Sequence, residues 1–332
     1  MNTFKIITII SLLLLFSCKP HGYEYNEGSL PDIPVNLESF NSEYDDYNST
    51  APTLGWLIPF CFSTNRNSSG NDFDIIYRPM DVSFSKTTGV LDVTNGYGGW
   101  GIYQETYTAL INGLRKMNTS GNEFGPYLLF NQNGNFSDFN FLFLYATDVS
   151  GNFQINYTYN TEISEFSDNE PIAFLNSEFN DLYPAFNTDF SKIYFCSDRE
   201  NDKFDIFSVD INSSGNKLID KLADPDVHEV NKNLVISSNF DDKCPYIFDD
   251  KLIFASNRPG GFGGYDLYYS VLESGEWTEP VNFGAEINTE FDEYRPILFD
   301  EGVDYNKHMM VFSSNRTGGK GGFDLYFVGV KH

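Results

Sequence analysis

An internal repeat dominates this chain of 332 residues. An acidic segment that ends near a proline occurs five times, as NSEYDDYNSTAP (41–52), NTSGNEFGP (118–126), NSEFNDLYP (176–184), SSNFDDKCP (237–245) and NTEFDEYRP (288–296). Successive copies begin 77, 58, 61 and 51 residues apart, a period that suits one four-stranded propeller blade with long loops. The repeat therefore predicts an all-β fold, a single β-propeller of five blades with four antiparallel strands each, with six blades as the alternative.

Two apolar segments follow each acidic copy. The first ends in arginine in four units, as in PFCFSTNR (59–66) and KLIFASNR (251–258), and the second begins with an aromatic residue and aspartate, as in FDIIY (73–77) and YDLYY (265–269). Runs rich in β-branched and aromatic residues, separated by Gly, Asn and Asp, are typical of strands joined as hairpins.

The arginine and the aspartate of this hairpin occur together. Four units carry both, and the second unit has Val149 and Gln154 in their places. Because a lone charge would be left uncompensated, this joint loss predicts a structural salt bridge across each hairpin. The predicted pairs are Arg66–Asp74, Arg199–Asp205, Arg258–Asp266 and Arg316–Asp324.

The glycine-rich run SNRPGGFGGYDLYY (256–269) looks at first like a phosphate-binding loop. It lacks the Lys-Ser/Thr pair that such a loop places before a helix, and it is repeated as SNRTGGKGGFDLYF (314–327). We therefore interpret both runs as strand–turn–strand hairpins, in which glycine allows a close turn.

The two ends of the repeat complement each other. The fourth unit continues into PVNFGAEINTEFDEY (280–294), the fifth ends at residue 332, and PVNLESFNSEYDDY (34–47) near the N-terminus closely matches the missing continuation. This match predicts that an N-terminal strand completes the last blade and closes the ring, which removes exposed sheet edges.

The first residues have the pattern of an export signal. One lysine precedes an eleven-residue apolar run that is too short to span a bilayer, and the run ends in Leu-Phe-Ser-Cys18, which resembles a bacterial lipobox. We predict a signal peptide over 1–17, a lipidated Cys18 with a tether over 18–33, and the propeller over 34–332. Acylated Cys18 would anchor the protein to a membrane. The outer membrane is the expected location, with the leaflet left open.

Charge and metal-binding residue types limit the partners and cofactors. The chain has 21 basic and 47 acidic residues and a formal net charge of −26, which excludes nucleic acid as a partner because phosphate backbones need clustered Lys and Arg. Cys61, Cys196 and Cys244 show no zinc-ligand spacing and are interpreted as small apolar residues. We expect no cofactor, with structural calcium in the acidic segments as the alternative.

These motifs resemble the WD40-like repeats called PD40, which occur in the propeller of the periplasmic protein TolB and in OmpA-associated proteins and lipoproteins of Bacteroidota-type bacteria. The resemblance is strongest in SNRPGGFGGYDLY (256–268) and in EWTEPVNFGAEINT (276–289), and it covers roughly 34–332. It implies a propeller. The additional domains of those relatives are absent from the repeat region, so their partners are not transferred.

One segment has no counterpart in the other units. Within 95–116, apolar residues fall at helical spacing, with acid in the first turn and basic residues in the last, which predicts a short helical insertion. Its aromatic residues Tyr97, Trp100, Tyr103 and Tyr107 form the candidate interaction surface. The alternative is that the insertion only plugs one end of the channel.

The recurrent charges all have structural explanations, so catalytic residues are not expected. We predict a non-catalytic outer-membrane lipoprotein whose propeller is a protein–protein interaction module, with another envelope protein as partner, and not an enzyme. The alternative is a surface glycan-binding or glycoside-hydrolase lipoprotein that uses carboxylates and aromatic residues of the propeller funnel.

Overall fold

A computed structural model describes residues 24–52, 58–96, 104–131, 138–161, 165–200, 202–211, 217–299 and 305–331, with 104–107 described by their backbone alone. These residues form five blades of antiparallel β-sheet around one axis, together with a separate two-stranded hairpin. The predicted five-bladed β-propeller is confirmed.

The elements follow one another blade by blade. Strand β1 (Val35–Asn36) precedes blade 1, which contains β2 (Asp46–Thr50), β3 (Cys61–Thr64), a 3₁₀ turn (Arg66–Ser68) and β4 (Asp74–Tyr77). Next come the hairpin β5 (Met80–Ser85) and β6 (Val90–Asn95) and helix α1 (Gln104–Met117). Blade 2 contains β7 (Glu123–Phe130), β8 (Phe141–Thr147), β9 (Gln154–Asn160) and β10 (Glu170–Pro171). Blade 3 contains β11 (Asp181–Phe186), β12 (Lys192–Glu200), β13 (Lys203–Asp210), helix α2 (Leu218–Leu222) and β14 (Val230–Lys232). Blade 4 contains β15 (Asp242–Phe248), β16 (Lys251–Ser256), β17 (Asp266–Glu273), β18 (Glu276–Trp277) and β19 (Val281–Asn282), and blade 5 contains β20 (Glu293–Phe299), β21 (His308–Ser314) and β22 (Asp324–Val330).

The ring is closed by contacts between the innermost strands and by pairing of the N-terminal strand with the last blade. The innermost strands β2, β7, β11, β15 and β20 each contact the next, and β20 contacts β2. Strand β1 pairs with β22, Val35 opposite Phe327, just as β19 pairs with β17 in blade 4, Val281 opposite Tyr269. The predicted closure by an N-terminal strand is confirmed.

Blade 1 departs from the repeat. Among the described residues its sheet has three strands, and α1 covers β4, burying Leu110, Leu114 and Met117 in a cluster with Tyr77 and with Phe143 of blade 2. The predicted helical insertion is confirmed. The prediction of four strands in every blade is wrong here, because α1 packs beside β4, the strand with which an outer strand would pair. Within the described ranges, no helix is long and apolar enough to cross a membrane.

Amide side chains fasten each blade to the previous one. Asn288 accepts the backbone N–H of Leu267 and donates to its carbonyl, at 2.8 and 3.0 Å. Asparagines make the same two bonds in three other acidic segments and a serine replaces them in the fourth, at Asn41, Asn118, Asn176 and Ser237. The acidic segments therefore recur because they join blades.

A second recurring contact pairs one Asp with one Asn. The pair links the residue before the innermost strand to a residue at or just after the end of the second strand. Its members are Asp45–Asn65, Asn122–Asp148, Asn180–Asp198, Asp241–Asn257 and Asp292–Asn315. The two residue types exchange places between blades while the pair keeps one acid and one amide. We call these contacts the latch pairs.

The repeat arginines have a different partner from the predicted one. Each pairs with the buried acid that begins the innermost strand of its own blade, as Arg66–Asp46, Arg199–Asp181, Arg258–Asp242 and Arg316–Glu293. The predicted pairs Arg66–Asp74, Arg199–Asp205, Arg258–Asp266 and Arg316–Asp324 are therefore wrong. The guanidinium lies across the sheet because Nη2 can then donate to a carboxylate and a carbonyl together. In Arg258, Nη2 donates to Asp242 and to the carbonyl of Ile236, both at 2.6 Å.

The third-strand aspartates of blades 4 and 5 hold their hairpin turns instead. Asp266 accepts the backbone N–H groups of Phe262 and Gly263 and the side-chain amide of Asn282. Asp324 accepts N–H groups of its own turn in the same way. A carboxylate that receives several N–H donors needs no guanidinium beside it.

Candidate functional site

The upper face of the propeller is the end that carries the acidic segments and the hairpin turns between the second and third strands. The innermost strands begin here, so the residues at their starts surround the channel entrance. The turns lie directly against the next acidic segment, where a Cβ atom on Gly263 would collide with the carbonyl oxygen of Phe291. Only glycine fits that approach.

Ten side chains form a mostly aromatic bowl at this entrance. Five are the second residues of the innermost strands, and five lie at the starts of the third strands, four of them just before the strand and Phe204 as the second residue of β13. They are Tyr47, Phe124, Leu182, Lys243 and Tyr294, and Phe73, Phe153, Phe204, Tyr265 and Phe323. All but Leu182 and Tyr294 are partly exposed, so the bowl presents ring surface to solvent.

The rings of the bowl pack on one another across blade boundaries. Tyr47 stacks on Tyr294 with 5.3 Å between ring centroids, and Tyr265 meets Tyr294 edge to face at 5.1 Å. Phe124 stacks on Phe153 at 5.2 Å. These are the preferred aromatic geometries, and they give the bowl a fixed wall.

Blade 4 interrupts the bowl with polar groups. Lys243 is charged where the other innermost strands carry aromatic or aliphatic residues, and Tyr265 carries a hydroxyl where the other third strands have phenylalanine. Both side chains approach Asp241. The other blades fill the Lys243 position without a charge and the Tyr265 position without a hydroxyl. Packing of the blade therefore does not explain the cluster.

The cluster has a defined geometry. The Tyr265 hydroxyl donates to Oδ2 of Asp241 at 2.6 Å, and the backbone N–H of Phe204 donates to Oδ1 at 3.0 Å. The Lys243 ammonium lies 3.7 Å from Oδ2 and 4.0 Å from the ring centroid of Phe204. Asp241 and Lys243 keep 25 and 17% of their side-chain surface exposed, so solvent and ligands reach them.

The second oxygen of Asp241 distinguishes it from the other latch aspartates. In Asp45 and Asp292, Oδ2 accepts the amide of the latch asparagine, whereas in Asp241 it accepts a phenol. Burial raises the pKa of Tyr265, and the hydrogen bond to Asp241 raises it further, so the phenol stays protonated at neutral pH. It therefore remains a donor that orients the carboxylate.

Blade 2 contains a second departure, beneath the bowl surface. Glu123 begins the innermost strand, like the four paired acids, but the arginine position holds Val149. Burial raises the pKa of Glu123 to about 7, the hydroxyls of Thr119 and Thr147 oppose that rise, and Asp74 of blade 1 adds to it. In Glu293 the pKa also rises through burial, and Arg316 opposes it.

The predicted contact residues are not brought into this site. Tyr97, Trp100 and Tyr103 lie outside the described residues, as does Cys18, and Tyr107 lies in α1, described by its backbone alone. The helix ends at the upper face, where the following Asn118 bonds β4, so it begins at the opposite end of the blade. The interaction surface stays a prediction.

The metal-ligating residue types remain dispersed. Across the described residues, no three His, Cys, Asp or Glu side chains converge to hold a metal ion. Cys61, Cys196 and Cys244 are free and buried, and burial raises the pKa of Cys244 to about 12. Buried thiols of this kind are unreactive.

Sequence reasoning missed Asp241, Lys243 and Tyr265. The available signal was a comparison of the units, since SSNFDDKCP (237–245) alone places lysine after the strand acid, and YDLYY (265–269) alone begins with tyrosine. That the two departures meet at Asp241 depends on how the strands of blade 4 pair.

No protein-family model and no curated protein matches this sequence, whereas solved propellers match its structure. A thermostable family-43 glycoside hydrolase has a TM-score of 0.52 at 11% identity, over 88% of this chain and 91% of that chain. The Bacteroides ovatus protein described as xyloglucan PUL GH43B has a TM-score of 0.50 at 13% identity, over 90% of this chain and 54% of its own. A TolB candidate from Agrobacterium tumefaciens has a TM-score of 0.41 at 11% identity, over 90% of each chain.

These matches correct two predictions. The predicted non-catalytic interaction module is wrong, and so is the prediction that the chain is not an enzyme, because glycoside hydrolases are among the propellers that match its fold, in line with the alternative. At 11–13% identity the likeness shows the fold alone. The finer assignment to PD40 lipoproteins stays a prediction.

Proposed function

We propose that this protein is a glycoside hydrolase that binds its glycan over the aromatic bowl. The observation that carries the proposal is the cluster of Asp241, Lys243 and Tyr265 among the ring side chains of the bowl. A concave aromatic surface with a few convergent polar groups is the usual form of a small-molecule site. A family-43 glycoside hydrolase matches this fold over 88% of the chain.

The bowl has the properties that sugar binding requires. Partly exposed rings such as Phe204 and Phe153 offer flat apolar surface for the C–H faces of pyranose or furanose rings. Because neighbouring rings fix one another, little side-chain freedom is lost on binding. Lys243 and Asp241 supply hydrogen-bonding groups for sugar hydroxyls at one side of the bowl.

Asp241 is the residue that we assign to the reaction. In glycoside hydrolysis an acidic group protonates the leaving oxygen, water replaces it at the anomeric carbon, and a second carboxylate stabilises the oxocarbenium-like transition state. The last of these roles is the one assigned to Asp241. The Asp241 carboxylate faces the bowl, is half-buried and is oriented by the Tyr265 hydroxyl. A preoriented charge of this kind is worth more in a partly dry site than in water.

We expect Asp241→Asn to lower the hydrolysis rate by about 10²–10³-fold while leaving glycan affinity nearly unchanged. The substitution is nearly isosteric, and Oδ1 can still accept the Phe204 N–H, so the blade should fold. The measurement is reducing-sugar release from a panel that includes arabinan, xyloglucan and levan.

Asp250→Asn is the matched control, since Asp250 lies in the turn between β15 and β16 at the opposite end of blade 4. It should retain full activity. Absence of both binding and hydrolysis by the unmodified protein across the panel would overturn the proposal, and so would full activity in Asp241→Asn.

We also propose that lipidated Cys18 anchors the protein to the outer membrane. The described chain begins near the lower face, where Gly28 bridges Tyr305 and Leu30 is buried against blade 5. The anchor would therefore leave the bowl facing away from the lipid.

We expect Cys18→Ser to move the protein from the detergent phase to the aqueous phase in a phase-partition assay, and retention in the detergent phase would exclude this anchor.

A further inference from the structure

Arg295 places a guanidinium on the propeller axis. It is the third residue of β20, and its side chain is fully buried. Nη1 donates to the carbonyl of Pro245 in blade 4 at 3.4 Å, and Nη2 donates to the carbonyl of Pro126 at 3.2 Å. Pro126 belongs to blade 2, which is not a neighbour of blade 5, so the side chain crosses the channel.

This cation has no carboxylate beside it in the part of the chain that the structure describes. The four repeat arginines each pair with an acid, whereas the neighbours of Arg295 are the Tyr183 ring, 5.4 Å from its Cζ atom, and the groups of Tyr127, Cys244 and Tyr246. A buried charge without a counter-charge is strongly unfavourable. The site is therefore electrostatically incomplete without an anion.

The hydrogen bonding of the same region is also incomplete. Nε of Arg295 donates to no protein atom, and the buried Asn48 amide makes no hydrogen bond of good geometry, with the Tyr183 hydroxyl as a polar neighbour. Asn48 holds the corresponding position in blade 1 and, like Arg295, lies against Tyr183. Buried polar groups normally find partners, so donors of two blades are open at one place.

The backbone turns these side chains toward the axis. The third residue of every innermost strand has a positive φ, at 53° in Asn48, 61° in Gly125, 57° in Tyr183, 58° in Cys244 and 48° in Arg295. Such a conformation is strained for arginine and tyrosine, and strain of this kind persists where it has a use. Side chains that would otherwise pack between blades are thereby brought together.

We propose that a small inorganic anion of the halide class binds on the axis, between Nε of Arg295 and the side-chain amide of Asn48. The site is separate from the glycan site, because the stacked Tyr47 and Tyr294 rings form part of the bowl wall and Arg295 is buried below them. The anion supplies the charge that the channel lacks and accepts the two open donors. It stabilises the closed ring rather than taking part in hydrolysis.

The test is thermal unfolding in sodium chloride against sodium gluconate at equal ionic strength. We expect the Tm of the unmodified protein to rise by about 5 °C between 1 and 100 mM chloride, as mass action predicts for a ligand that binds only the folded state. With a net charge of −26, the chain does not attract anions to its surface in general.

Asn48→Asp is the decisive variant, because aspartate tolerates the positive φ and supplies an internal counter-ion. We expect its Tm in gluconate to equal or exceed that of the unmodified protein in chloride, with no response to chloride. Arg295→Met should also lose the response. Equal Tm values of the unmodified protein in the two salts, or a chloride response that persists in Asn48→Asp, would overturn the site, and neither result depends on hydrolytic activity.

Discussion

Replacing Arg258 with methionine is expected to lower the free energy of unfolding by about 3–5 kcal/mol at pH 7. The guanidinium bonds the fully buried carboxylate of Asp242 at 2.6 Å, the carbonyl of Ile236 and the hydroxyl of Ser256. Its removal leaves the buried carboxylate without a counter-charge, with the Ser238 N–H as a remaining donor to it, which costs far more than the packing that methionine keeps. Urea denaturation followed by circular dichroism measures the change.

Two further variants separate the ion pair from general effects of lost charge. Lys251→Met removes a cation from the exposed Asp250 pair in the same blade and should change the free energy by less than about 1 kcal/mol. The double variant Arg258→Met with Asp242→Asn should recover part of the loss, because the buried charge is then gone. A loss below 1 kcal/mol for Arg258→Met alone would show that the pair does not hold the blade.

Glu123 should make the protein less stable as pH rises through the range where Glu123 ionises in the folded state. Its pKa is raised from 4.5 to about 7 in the folded protein, so between these values the folded state binds more protons than the unfolded state. The contribution of Glu123 to the free energy of unfolding is complete below pH 4.5, decreases as the pH rises toward 7, and is lost above pH 7. The loss amounts to roughly 3 kcal/mol.

The measurement is the difference in unfolding free energy between Glu123→Gln and the unmodified protein at pH 4.5 and pH 8. We expect near equality at pH 4.5 and a more stable variant at pH 8, since the amide can bond Thr119 and Thr147 without ionising. Val149→Arg should act in the same direction by restoring the guanidinium that blade 2 lacks. A difference that does not change with pH would contradict the raised pKa.

The repeat predicted the blades and their closure because both follow from sequence patterns that can be compared between units. Alternating hairpin strands and turn residues can be read from one unit, and the match between 34–47 and 280–294 is a comparison along the chain. The missing outer strand of blade 1 was harder, since the predicted helix did not show which sheet face it covers.

Comparison of the units did not predict the correct partners of the repeat arginines. Arg258 and Asp266 flank one hairpin and vanish together in unit 2, which pointed to a contact between them. The assembled sheet instead places the first-strand acid Asp242 opposite the second strand, with Ser256 as its cross-strand neighbour. An arginine two residues beyond Ser256 then reaches Asp242, and the hairpin aspartate is satisfied by its own turn.

The candidate site required the folded sheet and its neighbour. Lys243 and Tyr265 stand 22 residues apart in the sequence; the sheet of blade 4 brings both to Asp241, and blade 3 adds Phe204. Arg295 likewise contacts Pro126, 169 residues away. Such contacts are set by the number and tilt of the blades rather than by any local motif.

The most direct measurement is the crystal structure of Asp241→Asn with an oligosaccharide of the glycan that the unmodified protein cleaves. The account predicts a sugar ring stacked on the bowl, beside Phe204 and Tyr265 and within hydrogen-bond distance of residue 241. A sugar bound only on an outer blade face or at the lower end of the channel, with the bowl empty, would contradict it.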